Sequence, residues 1–125
     1  MKRDLNLVRS ILIYVEKADG PVDANDLVDG ANDFNKVSYH VMLMANRGLL
    51  DLLSFQQDVN HDVTDLYIAA VTWDGLDYLD SIRDPKVWAK VKKTVKEAVG
   101  STTFEVVKQT GSLVAMSMVK AKLGI

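Results

Sequence analysis

Apolar residues recur every three or four positions from Leu5 through Val8 and Leu12 to Val15, and Ile11 widens the stripe. That period belongs to a helix with one buried face. It predicts a helix opened by Asp4 and stopped by the Gly20-Pro21 pair. Residues 22–32 are mostly polar, with Leu27 and Val28 as their main apolar anchors, and both a short strand and a short helix satisfy the pattern. The helical period returns over residues 33–47, where Phe34, Val37, Val41 and Met44 line one face and Gly48 stands at the usual C-terminal stop.

Residues 49–57 and 66–72 have the composition of strands, and the polar connection DVNHDVTD makes them a hairpin with a long acidic tip. Thr72 suits a helix N-cap and Asp74 a first turn, where a carboxylate meets the positive end of the helix. The helix that follows turns Leu76, Leu79 and Ile82 inward and ends at Asp84-Pro85. Proline is tolerated in a first turn, so a further helix starts there with Val87, Trp88, Val91, Val95 and Ala98 as its stripe. Gly100 closes it, and Thr102 with Glu105 forms a capping box for a last helix to about Leu123. Helix, short element, helix, hairpin and further helices predict an α+β, mostly α fold. The order is that of a winged helix-turn-helix with a two- or three-stranded wing sheet (residues 1–83) and a C-terminal helical extension (residues 84–125).

Two segments carry a resemblance. VSYHVMLMANRGLLD is similar to the second helix of a winged helix-turn-helix and its exit into the wing. YIAAVTWDGLDYLDSIRD is similar to a second wing strand entering a helix through a Thr-x-x-Gly turn, here Thr72-Trp73-Asp74-Gly75. With the MKRDLNLVRSIL start and the DPKVWAKVKK continuation, residues 1–95 resemble a family of small phage and prophage proteins that have no agreed activity. The resemblance implies a winged-helix fold and an expectation of nucleic-acid binding or regulation, and nothing firmer.

Composition narrows the chemistry. The chain has 125 residues, 48% hydrophobic and 26% charged, which suits one compact domain with an appendage. Having no cysteine, it cannot use thiol catalysis, a zinc finger, an iron–sulfur cluster or a disulfide framework. No apolar run approaches the ~20 residues of a membrane span, and the start lacks a signal-peptide core. The expectation is a soluble cytoplasmic protein that makes no membrane contact. The net charge of −2 is unevenly spread: up to Asp84 there are seven basic and fifteen acidic residues, and from Pro85 onward eight lysines against Glu97 and Glu105.

That asymmetry bears on partners. At 100° per residue the second long helix points Asn35, Ser38, Tyr39, Met42 and Asn46 outward, with Lys36 and Arg47 on its flanks. Asn and Ser can read base edges of double-stranded DNA, yet none of the five is basic, and phosphate contacts supply most nucleic-acid affinity. The wing tip carries Asp58, Asp62 and Asp65, and the next helix Asp74, Asp77 and Asp80. Together they form an acidic surface that repels phosphates and suits a protein partner. Lys86, Lys90 and Lys93 lie along one side of the following helix, with Lys92 and Lys96 on the other, and offer a rival nucleic-acid site. In the last helix Phe104, Val107, Gly111, Val114 and Met118 follow a seven-residue pattern, for which self-association as a homodimer is favoured over packing within the chain.

No catalytic constellation emerges. His40 reads as a packed residue and His61 as a solvated one at the hairpin tip. Asp58-x-Asn60-x-Asp62-x-Thr64 resembles the start of a calcium loop, but Val63 replaces the turn glycine and Ala69 the bidentate glutamate. Trp73 and Trp88 read as core aromatics. No enzyme activity, metal or cofactor is expected. Two functions remain open: a regulator that binds DNA or acts on nucleic-acid machinery, and an adaptor or inhibitor that binds a host protein through the acidic wing.

Overall fold

Asp4 caps the first helix, α1 (Leu5–Lys17), its carboxylate accepting from the main-chain N–H groups of Asn6 and Leu7. The computed structural model describes residues 1–98, 107, 108, 110–114 and 116. It divides the chain into two compact units, Met1–Leu76 and Asp77–Ile125, and the 83/84 boundary read from the sequence lies inside the second. The architecture is α+β and mostly helical, with one three-stranded antiparallel sheet among the described residues.

In the first unit α1 buries Leu7, Val8, Ile11, Leu12 and Val15; Leu5, expected on this face, is half-buried at its edge. The ambiguous stretch that follows holds both alternatives in succession, a two-residue strand β1 (Val22–Asp23) and a single 3-10 turn (Ala24–Leu27). Its anchors are Val22 and Ala24, whereas Leu27 is half-buried and Val28 exposed. Sheet pairing is the reason, because Val22 sits opposite the fully buried Ile68.

Helix α2 (Phe34–Asn46) begins at the Asp33 cap. It ends in a Schellman turn, with Gly48 at φ +84°, Leu49 N–H on Met44 O at 2.8 Å and Gly48 N–H on Ala45 O at 3.0 Å. Strands β2 (Leu50–Gln57) and β3 (Val63–Val71) form the hairpin, and the sheet order is β1-β3-β2. The hairpin connection is shorter than the sequence suggests, since β3 already starts at Val63 and places Asp65 opposite Gln56 inside the strand pair. Asp58 closes the tip. Its carboxylate accepts from Asn60 N–H (2.8 Å) and Asp62 N–H (3.1 Å), while its own N–H donates to Asp62 O (2.9 Å). Ile11, Leu12, Val37, Val41, Leu66 and Ile68 are fully buried, each contributing roughly 1.5–3 kcal/mol by leaving water.

Helix α3 (Trp73–Ile82) is capped by Thr72, whose hydroxyl accepts from Gly75 N–H at 3.0 Å and donates to Gly48 O. A Cβ on Gly75 would collide with the carbonyl oxygen of Leu49 and with Val71, so only glycine lets this turn lie so close to the start of β2. Trp73 is 80% exposed and is therefore no core aromatic. At 100° per residue it lies about 160° around the helix from Gly75, on the side turned away from Leu49.

In the second unit Tyr78, Leu79 and Ile82 of α3 are buried, as are Val87, Trp88 and Val91 of α4 (Pro85–Ala98). Asp84 caps α4 by accepting from Lys86 N–H at 2.7 Å. Val107, Lys108 and residues 110–114 are helical. Gly111 packs on α3: a Cβ there would lie 2.5 Å from Ser81 O and 3.0 Å from Ile82 Cγ2.

Candidate interaction surface

Helix α2 is held against the start of α1 by three groups. The main-chain N–H of Asp4 donates to His40 Nε2 at 2.8 Å, and His40 Nδ1 lies 2.7 Å from the carbonyl of Lys36. A carbonyl can only accept, so Nδ1 carries the ring proton and Nε2 receives the Asp4 N–H. Lys36 Nζ then closes the set on Asp4 Oδ2 at 2.9 Å. The Lys36 ammonium holds the Asp4 carboxyl below the usual carboxylate range against the opposing effect of partial burial, with the N–H groups of Leu7 and Asn6 assisting. His40 is wholly buried, as a packed residue should be.

The network changes the outward face of α2. Lys36 is engaged by Asp4 and is not an open phosphate contact. Ser38 is buried, because the inner arc of α2 extends from His40 through Val37 and Val41 as far as Ser38, and its hydroxyl donates to Asn35 O at 3.2 Å. Asn35, Tyr39 and Asn46 remain exposed, Met42 is half-buried and Arg47 is exposed at the C-cap. The Tyr39 ring meets the His40 ring edge-on at 5.5 Å between centroids.

The β2–β3 hairpin combines acidity with exposed apolar side chains. Residues 48–82 contain seven aspartates and no lysine or arginine. Asp58 and Asp62 are exposed at the tip, Asp65 is exposed within β3, and Asp74 is exposed in the first turn of α3. Among them stand Leu53 (58% exposed), Phe55 (45%) and Val59 (93%). A strand expectation for residues 49–57 does not single these three residues out. The signal that marks Leu53 and Phe55 is the run LDLLSFQQ, which lacks the strict alternation of a strand with one buried face.

In the second unit the acidic residues have partners of their own. Asp80 pairs with Arg83 at 2.8 Å, and Asp77 lies 3.9 Å from Lys108. Lys86, Lys90, Lys92 and Lys93 are exposed along α4, with Lys92 Nζ 5.6 Å from the centre of the Trp88 ring. Of the residues assigned to self-association, Val107 and Gly111 are buried within their own chain and Val114 is half-buried. Phe104 and Met118 lie outside the described residues.

Among the described residues no group of three or more His, Asp or Glu side chains is placed to hold a metal ion, and no buried side-chain polar atom lacks a hydrogen-bond partner. No helix of the described residues is long and apolar enough to cross a membrane. An open groove lies along α1 between Ser10, Ile13, Tyr14, Lys17 and Ala18.

The geometry defines a small, mostly helical α+β protein. The chain belongs to the family described as hypothetical protein (DUF2513), which it matches over residues 2–102. An uncharacterized protein of Haemophilus influenzae is 30% identical over 120 residues, covering 94% of this chain and 98% of that protein. No solved structure matches the chain.

Proposed function

We propose that residues 1–76 form a winged helix and that the protein is a non-enzymatic regulator acting by contact with another protein through its wing. The winged-helix reading is supported by the order α1, β1, 3-10 turn, α2, β2, β3 and by the β1-β3-β2 antiparallel sheet. In this reading α2 is the helix that would enter a major groove, and the β2–β3 hairpin is the wing.

The observation that carries the function is the absence of any lysine or arginine from the hairpin, residues 50–71, which carries Asp51, Asp58, Asp62 and Asp65 together with exposed Leu53, Phe55 and Val59. A wing that grips DNA needs cations against phosphates, whereas this one repels them and offers apolar contact area. The resemblance to phage and prophage proteins fits a host protein as partner and a cytoplasmic setting. The test is affinity capture from cell extract with the full chain and with Asp58→Asn, Asp62→Asn and Asp65→Asn combined. Loss of a captured protein supports the role given to the wing, and unchanged capture removes it.

A second reading, regulation by duplex DNA contact, is favoured by one observation. The bond from Asp4 to His40 sets exposed Lys2 and Arg3 beside α2, whose Asn35, Tyr39 and Asn46 face solvent. In that case duplex affinity falls steeply with salt and depends on Lys2, Arg3 and Arg47, with the lysines of α4 as a separate contributor. No duplex binding at low salt rules it out.

A further inference from the structure

Among the described residues strand β2 is an edge of its sheet: the order β1-β3-β2 pairs it with β3 on one side only. Edge strands offer main-chain N–H and C=O groups to a further strand, and proteins guard them with lysine, proline or very short strands. LDLLSFQQ has neither lysine nor proline; the register irregularities that also blunt an edge fall between Asp51 and Leu52, between Leu52 and Ser54 and between Gln56 and Gln57, and leave the stretch Ser54–Gln56 regular. Beyond the irregularity between Leu52 and Ser54, the pairs Ser54–Tyr67, Phe55–Leu66 and Gln56–Asp65 run in regular register. Leu53 and Phe55 expose apolar surface along this strand and Val59 extends it to the tip.

We propose that β2 is a docking edge for an extended segment of a partner protein that alternates apolar residues with lysine or arginine, and that this segment adds a fourth strand to the sheet. The proposal rests on the wing being a protein-binding surface and names the partner's chemistry and binding mode. Charge selects the occupant. Asp51, Asp58, Asp62 and Asp65 belong to the hairpin, and residues 48–82 contain no lysine or arginine. A nucleic-acid strand is repelled by these carboxylates. The β2 edge of a second copy brings the same aspartates against them. A basic strand places its cations on the carboxylates and its apolar side chains on Leu53 and Phe55, while main-chain hydrogen bonds align it as in other strand-addition complexes.

The test uses the full chain and a fluorescein-labelled synthetic peptide of alternating lysine and valine, followed by fluorescence anisotropy. Three peptides of equal length serve as comparisons: all lysine, alternating glutamate and valine, and the lysine–valine peptide N-methylated at alternate residues. The lysine–valine peptide is expected to bind at least about tenfold more tightly than each of the others. Phe55→Lys and Leu53→Lys, at exposed positions that leave folding intact by circular dichroism, are expected to weaken it about tenfold. Equal binding of the all-lysine or N-methylated peptide overturns strand addition, and so does failure of every basic peptide to bind. Either result leaves the wing as a protein-binding surface in place, because that reading fails only when neutralising Asp58, Asp62 and Asp65 leaves capture unchanged.

Discussion

The N–H of Asp4 donates to Nε2 of His40 across 2.8 Å, joining residues thirty-six positions apart and tying the start of α1 to the middle of α2. The same aspartate caps its own helix with Oδ1 and pairs with Lys36 through Oδ2. One residue thus sets both where α1 begins and where it sits on α2.

Asp4 makes stability depend on acid pH. Its carboxyl is held below the usual value of 3.8, chiefly by Lys36. The folded state therefore binds this proton more weakly than the unfolded chain. The stabilisation is fully present above the unfolded value and is lost as pH falls through the lowered folded value. Asp4→Asn keeps a capping oxygen and removes the charge. It should cost up to about 1 kcal/mol at pH 7, as expected for a part-exposed pair. Urea denaturation at pH 7 and pH 3 checks this; the gap between variant and parent should narrow at the lower pH.

His40→Ala should destabilise the protein by about 2–4 kcal/mol. It opens a cavity beneath α1 and leaves the Asp4 N–H without its acceptor. His61→Ala, exposed at the hairpin tip, should stay within about 0.5 kcal/mol. Chemical denaturation of the two variants side by side measures the contrast, and equal losses would refute the role given to His40.

Gly75→Ala should cost about 1–3 kcal/mol, because its methyl group meets the backbone of Leu49, which cannot move without shifting β2. Thr72→Val should add a separate loss of about 1 kcal/mol through the α3 cap. Thermal melts distinguish this from a mobile turn, in which Gly75→Ala would be neutral or stabilising.

Gly111→Ala separates packing within the chain from self-association. Its Cβ would press on Ser81 and Ile82, so the variant should melt several degrees lower. Light scattering at matched concentration should show no change in mass. A lower mass with undiminished stability would instead assign Gly111 to contact between two chains.

Much of the fold was legible because it is written locally. The α1 and α2 stripes, the Gly48 stop, the Thr72 cap and the Pro85 start each follow from residues within one or two turns. The candidate surface was less so. Its acidity could be counted along the chain, but a helical wheel puts Ser38 outward and Lys36 on the flank, and only the width of the inner arc buries Ser38 and only the Asp4 contact engages Lys36. Trp73 misleads for the opposite reason, since a tryptophan beside an apolar strand suggests a core, while Gly75 orients its helix so that Trp73 faces water.

The sequence by itself determined the order of the long helices and the hairpin, and the hairpin's charge, because periodicity, caps and composition are properties of neighbouring residues. Tertiary structure alone decided which side of the hairpin lacks a strand, which apolar side chains stay exposed and which cations are already paired. Those outcomes depend on residues far apart in the chain, such as Asp4 with Lys36 and Val22 with Ile68, whose meeting no local pattern encodes.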